Sequence, residues 1–154
     1  MAGTEKVKEI LRKFNIALDF REFPQSTRTS QDAANAVGCK VEQIGKSIVF
    51  KGKASGRAYL VIASGKNRVN ERRLSQIVGE PIEKADADFV KEKTGFVIGG
   101  VPPFGHREPL ETYVDEDLFL FEEIWCAGGT PHAVFKIRPE ELLRITGGTK
   151  IKVK

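Results

Sequence analysis

Four short segments bring together residue types that could do chemistry. Gly45-Lys46-Ser47 matches the last three positions of a phosphate-cradling GxxxxGKS loop. That reading fails, because the first glycine of the motif would fall on Lys40 and an apolar strand follows where a helix should open. A lysine just before a strand can instead point across a cleft as a fixed ammonium donor; the competing reading is a solvated surface lysine. Gly99-Gly100-Val101-Pro102-Pro103-Phe104-Gly105-His106 is a loop whose glycines let backbone approach a ligand and whose prolines keep it stiff. Backbone N–H groups presented in this way bind anions or a developing oxyanion, although a tight structural turn has the same composition. Cys126-Ala127-Gly128-Gly129-Thr130-Pro131-His132 is a second glycine-rich turn, ending in an imidazole that could exchange a proton near neutral pH. Lys66-Asn67-Arg68-Val69-Asn70-Glu71-Arg72-Arg73 carries four cations in eight residues, enough to track a phosphate backbone or to form a solvated helix face. No aromatics interleave with these cations, so a stacking platform for single strands is not indicated.

Other chemistries find no support. Cys39, His106, Cys126 and His132 show none of the close paired spacings of a zinc site, so no metal is expected. There is no GxSxG and no HExxH, and two histidines leave little room for a Ser-His-Asp triad. Catalysis by this chain must therefore rest on positioning and electrostatics.

The elements that hold these segments can be read from periodicity and caps. Val7, Ile10, Leu11 and Phe14 predict a helix over Glu5 to Phe14, with Asn15 as its stop. Ala17 to Phe23 reads as a strand ended by Pro24. Thr29-Ser30-Gln31-Asp32 predicts a capping box at the start of a helix that stops at Gly38. Ser47 to Phe50 and Ala58 to Ala63 flank turn residues and predict a β-hairpin. Asn70 caps a short helix closed by Gly79, and Asp86 or Asp88 opens another closed by Gly95. Later strands are expected at Glu111 to Val114, Glu123 to Cys126, Ala133 to Ile137 and Lys150 to Val153, with Pro139 opening a last helix. Strands joined by hairpins, without a regular strand-helix-strand repeat, predict an α+β fold: a mixed, mostly antiparallel sheet flanked by helices.

Composition agrees with one domain over residues 1–154. Hydrophobic residues make up 40% and charged residues 30% of the chain, which is ordinary for a folded domain of this length. No apolar run is long enough to span a bilayer and the charged, amphipathic start lacks a signal region, so a cytoplasmic protein with no membrane partner is expected. The two cysteines are expected to be free thiols. A net charge of +4 fits an anionic partner without requiring one.

Taken in order, TSQDAANAVGCKVEQIGKSIVF, AYLVIASGKNRVN, GGVPPFGH, VDEDL and AGGTPHAVFKIRPEEL resemble the YbaK/ProX family, free-standing relatives of the editing insertion domain of bacterial prolyl-tRNA synthetase. The resemblance runs from about Val7 to about Leu143. It implies deacylation of mischarged aminoacyl-tRNA in trans, with tRNA(Pro) carrying a wrong small amino acid as the typical substrate, prolyl-tRNA synthetase as a possible partner, and no metal or organic cofactor. The family lysine falls on Lys46, the GxxxP loop on Gly99 to Pro103 with Gly99, Gly100 and Pro103 as its active-site members, and the C-terminal histidine on His132. Substrate contacts are expected from Thr29, Ser47, Val101, Pro102, His106, Gly129 and Thr130, and tRNA contacts from Lys66, Arg68, Arg72 and Arg73.

An aminoacyl ester is already activated, so its hydrolysis needs a positioned water and stabilisation of the carbonyl oxyanion, not a protein nucleophile. Lys46 is expected to act as a cation, with the neighbouring ribose hydroxyl of the substrate helping to activate water. In relatives specialised for alanine the lysine is commonly followed by asparagine, whereas Ser47 follows here; alanine, serine, threonine and cysteine all stay open. Two readings from other classes remain: a non-catalytic tRNA- or synthetase-binding module of the same fold, and a protein-interaction domain whose basic cluster is only solvated.

Overall fold

Helix boundaries follow from caps written into the sequence. The computed structural model describes residues 3–154; Met1 and Ala2, which belong to the expected domain and its charged start, lie outside the described residues. Helix α1 (Gly3–Lys13) buries Val7 and Leu11, and the chain leaves it through Asn15 in the left-handed region (φ 60°). Helices α2 (Ser30–Val37), α3 (Glu71–Val78) and α4 (Ala87–Thr94) are capped by Thr29, Asn70 and Asp86. Each cap side chain accepts a bond from the third backbone N–H beyond it, at 2.9–3.0 Å. Such caps are each worth about 1 kcal/mol. The expected box at α2 is only half built: Thr29 Oγ1 accepts from Asp32 N–H, without the reciprocal bond from Asp32. Helix α5 (Pro139–Thr146) carries proline in its first turn, where the missing N–H costs nothing.

Among the described residues, eight strands form a single mixed sheet: β1 (Phe20–Glu22), β2 (Ile44–Gly52), β3 (Ala58–Ser64), β4 (Ile82–Lys84), β5 (Glu111–Asp115), β6 (Ile124–Ala127), β7 (Ala133–Ile137) and β8 (Thr149–Ile151). Their order is β1-β7-β6-β2-β3-β5-β8, with β4 paired to the far end of β2. Four pairings are antiparallel. The other three, β2 with β6, β3 with β5 and β5 with β8, are parallel. Short 3-10 helices over Val41–Gln43 and Glu116–Leu120 complete the chain.

Several boundaries differ from the sequence reading. The first strand shrinks to Phe20–Glu22, β2 starts at Ile44 rather than Ser47, and β8 ends at Ile151. Strand β4 has no counterpart in the sequence reading; its three residues pair with Phe50–Gly52.

Side chains alternate across the sheet. One face carries Val49, Leu60, Ile62, Val114, Ile124, Phe135 and Ile137 and packs against Val7 and Leu11 of α1, Val90 of α4 and Leu142 of α5. The other face holds two separate clusters. Phe50, Tyr59, Val61 and Ala63 lie under Leu74 of α3, whereas Ile44, Trp125 and Val134 lie under Ala33 and Ala34 of α2. Lys46 sits on this second face, in register between the two clusters.

Candidate active site

The site lies where the sheet opens. Strand β6 pairs with β2 only at Ile44↔Trp125 and Gly45↔Cys126, and β4 pairs along the same edge of β2 from Phe50 to Gly52. Between them, among the described residues, the edge of β2 carries no strand. The Val49 carbonyl points to this edge, since it accepts from Ala85 N–H at 3.0 Å. Peptide groups alternate direction along a strand, so the N–H and C=O of Ser47 face the opening too. Gly45 permits the close approach of β6: a Cβ there would stand 3.0 Å from Cys126 Sγ and 3.2 Å from Ile62 Cγ2.

A cleft of about 550 Å³ covers the opening. Lys46 and Ser47 enter it from β2, Arg28 and Thr29 from the start of α2, and Gly99 and Val101 from the loop after α4. Lys46 is half-buried and forms no ion pair among the described residues. Desolvation pushes its ammonium below the usual lysine range, and the nearby charges of Lys84 and Arg68 push further in the same direction. Asp115 opposes them. The result is a positive centre without a protein counter-ion, suited to a phosphate or a polarised carbonyl oxygen. On the opposite face of the strand from the lysine, the Ser47 hydroxyl oxygen is buried without a hydrogen-bond partner among the described residues, which is costly unless a ligand supplies one.

Asp115 is tied into a buried network behind the lysine. Its carboxylate accepts from Ser64 N–H, Asn67 Nδ2 and Asp117 N–H, each at 2.9 Å. Asn67 also donates to Asp117 Oδ2 at 2.8 Å, and Ser64 Oγ donates to the Glu42 carbonyl at 2.8 Å. These bonds fix the turn that carries Gly65, another lining residue of the cleft, and Arg68.

The glycine loop is a braced turn. Gly99 adopts φ 88°, and the stem of Arg28 lies where a Cβ on Gly99 would go. The Gly100 N–H is already donated to the Val97 carbonyl at 2.9 Å. A Cβ on Gly100 would stand 2.7 Å from the carbonyl carbon of Thr130, so the loop rests directly on the second glycine turn. Of the loop, Ile98, Gly99 and Val101 line the cleft, while Gly100, Pro102 and Pro103 are buried outside its lining. His106 Nε2 lies 2.6 Å from the Pro102 carbonyl, and the ring stands edge-on to Phe96. Because a carbonyl only accepts, Nε2 carries the proton, and burial pushes the imidazole below its usual range. His106 thus clamps its own loop.

The structure brings Lys46, Ser47, Thr29, Gly99 and Val101 to one cleft. It does not bring His132 there. That ring is exposed, with Nδ1 3.0 Å from the Gln25 carbonyl, and its backbone is committed to Thr130 Oγ1 and Phe23 N–H. Gly129 and Thr130 line a different cleft, beyond Gly100. Lys66, Arg68, Arg72 and Arg73 are all exposed, the first two on the turn after β3 and the others in the first turn of α3. Sequence reasoning passed over Arg28, Gly65 and Trp125 as lining residues, and over Asp115. Asp115 lies within VDEDL, a segment whose only visible signal was its resemblance; Arg28 carried no signal beyond preceding the cap Thr29.

Neither thiol is set up as a nucleophile. Cys126 is wholly buried and pushed up to about 12, and burial also raises Cys39. Among the described residues no group of three or more His, Cys, Asp or Glu side chains is placed to hold a metal, and no helix is long and apolar enough to cross a membrane.

Comparison with known proteins places this geometry among relatives. Residues 24–145 match the family described as the aminoacyl-tRNA editing domain. The uncharacterized protein YwhH of Bacillus subtilis is 30% identical over 138 residues, covering 90% of this chain and 87% of that protein. A proline–tRNA ligase of a Thermoanaerobacter species is 29% identical over 121 residues, which is 77% of this chain but only 20% of the ligase. A crystal structure proposed to be a trans-editing enzyme for prolyl tRNA synthetase superposes with a TM-score of 0.91 at 46% identity, covering 100% of this chain and 98% of the other.

Proposed function

Because this chain belongs to the aminoacyl-tRNA editing domain family, we propose that it is a trans-editing hydrolase that removes a wrong small amino acid, alanine, serine, threonine or cysteine, from tRNA(Pro). The observation that carries the reading is the half-buried Lys46 ammonium, without a counter-ion, at an uncovered strand edge opposite the Gly99 loop.

The ester bond between the aminoacyl carbonyl and the terminal ribose enters the cleft. Lys46 donates to the terminal phosphate or to the ester oxygens and stays a cation through the step. The backbone of Gly99 and Val101 and the peptide of Ser47 contact the aminoacyl group, and the Ser47 hydroxyl gains a partner it lacks in the free protein. Water adds to the carbonyl carbon, the ribose oxygen leaves with a proton, and free amino acid and uncharged tRNA result. The vicinal ribose hydroxyl relays the proton, accepting one from the attacking water and passing its own to the leaving ribose oxygen, because among the described residues no Asp, Glu or His lines the cleft to serve as a conventional base. Lys66, Arg68, Arg72 and Arg73 hold the phosphate backbone near the cleft. His132 and His106 have no part in this step, and Pro102, Pro103, Gly100, Gly129 and Thr130 support it by shaping the loop. Prolyl-tRNA synthetase, which the ligase relatives suggest as a neighbour in the cell, is the expected source of the mischarged tRNA.

The test is a deacylation time course on tRNA(Pro) charged with each of the four amino acids, with correctly charged tRNA as control. Hydrolysis of a wrong ester that disappears in Lys46→Ala supports the proposal. Salt-sensitive tRNA binding without turnover replaces it with the non-catalytic binding module.

A further inference from the structure

A second cleft, of about 630 Å³, lies on the other side of the Val97–Gly100 turn. Lys6 from α1, Lys91 from α4 and Arg107 from the loop after α4 line it, and no Asp or Glu does. None of the three cations forms an ion pair among the described residues. Their neighbours do: Lys93 pairs with Glu108 at 3.6 Å, and Lys8 with Glu5 at 3.5 Å. Lys91 Nζ instead donates to the Gly95 carbonyl at 3.1 Å and Arg107 Nη1 to the Glu92 carbonyl at 3.3 Å, contacts that hold both side chains in place and leave their charge unbalanced. Three like charges around one concave surface repel each other unless an anion joins them.

The two clefts share a wall. Ile98 and Gly99 line the first and Val97 the second, and the turn between is closed by the Gly100 N–H bond to the Val97 carbonyl. Val97 and Ile98 stand 45% and 41% exposed, an apolar ridge over which a nucleotide leaving the first cleft can pass. We infer that the second cleft is a phosphate-binding groove, in which Lys6, Lys91 and Arg107 hold the sugar-phosphate backbone of the tRNA whose aminoacyl end occupies the Lys46 cleft. The inference rests on the editing reading for the identity of its ligand. An RNA backbone fits better than an acidic protein surface, because the substrate already supplies a row of phosphates attached to the group in the first cleft.

The experiment measures the affinity of the full chain for uncharged tRNA(Pro) between about 50 and 200 mM salt, for wild type and for K6A/K91A/R107A, each checked for folding by its thermal melt. Each lost phosphate contact lowers the slope of log affinity against log salt by about 0.7 to 0.9, so the triple variant is expected to lose roughly 2 to 3 from that slope. K6R/K91R keeps the charges and is expected to keep the slope. Hydrolysis of a minimal aminoacyl-adenosine ester, which has no backbone to bind, is expected to be the same in wild type and triple variant. An unchanged slope overturns the groove, as does a variant that binds tRNA normally but loses association with prolyl-tRNA synthetase. A reduced slope in a protein that hydrolyses neither ester leaves the groove standing and removes the editing reading instead.

Discussion

Asp115 offers the sharpest test of how the fold supports the lysine. Its carboxylate is 1% exposed and accepts three hydrogen bonds, two through Oδ2 from Ser64 N–H and Asn67 Nδ2 and one through Oδ1 from Asp117 N–H. Asp115→Ala removes both acceptor oxygens and with them all three bonds. Ser64 is fully buried, so its N–H finds no water, a cost of about 1–3 kcal/mol. Asn67 keeps its bond to Asp117, and the Asp117 N–H is only partly buried, so these add less. The expected total is about 3 kcal/mol. In Asp115→Asn the amide oxygen can stay at the Oδ2 position and keep Ser64 and Asn67; only the bond from Asp117 N–H is lost, at about 1 kcal/mol. Equilibrium urea unfolding followed by the fluorescence of the single tryptophan, Trp125, reads both values. Equal destabilisation by the two substitutions, or loss of less than about 1 kcal/mol in the alanine variant, would refute the network's role. Asp115→Asn also removes the negative charge that opposes the downward shift of Lys46, so the alkaline limb of deacylation should move to lower pH.

Three further outcomes are expected. Gly100→Ala drives a methyl group into the Thr130 backbone, which cannot move as a side-chain end can, and should destabilise by about 1–3 kcal/mol in thermal or urea melts while displacing the Gly99 loop and lowering deacylation. In the native protein a maleimide should label Cys39 and spare Cys126, whose thiol is buried and pushed up to about 12, and Cys126→Ala should keep its activity; rapid labelling of Cys126 would contradict its burial. Glu80, held down to about 2 by bonds from Ser55 and Tyr59, stabilises the β2–β3 turn above its unfolded value near 4.5, and this contribution fades as pH falls from there towards 2. Melts of wild type and Glu80→Gln should therefore differ most at pH 6, draw together below about pH 4.5 and converge only near pH 2; a gap independent of pH would place the bond's value elsewhere.

The parts of the fold legible in the sequence were those whose physics is local. Thr29, Asn70 and Asp86 cap the helices they were expected to cap, and Gly38, Gly79 and Gly95 close them in left-handed conformations. The β2–β3 hairpin follows from two apolar runs around a turn. What escaped depends on distant partners. Strand β4 is three residues long, too short to show a period, and exists because Phe50–Gly52 offers it an edge. The parallel β2–β6 contact, two residues long, makes the opening at Ser47, and nothing near Gly45 or Cys126 in sequence announces it. The same limit governs the site. Lys46 and Gly99 were identifiable by type and by resemblance, and both line the cleft. His132 and His106 stood out as the only imidazoles, yet neighbouring carbonyls of Gln25 and Pro102 hold them, and that choice is made by packing. Arg28 is an arginine in a polar stretch until Gly99 is laid against its stem.

The most direct test of the central claim is the deacylation rate of mischarged tRNA(Pro) by wild type, Lys46→Ala and Lys46→Arg at matched folding stability. Loss of an electrostatic donor at a reacting ester typically costs about 10²- to 10³-fold, so Lys46→Ala should fall by that factor while Lys46→Arg, which keeps the charge, falls less. Hydrolysis by Lys46→Ala at the wild-type rate would contradict the claim that this ammonium, at the open edge of the sheet, drives the reaction.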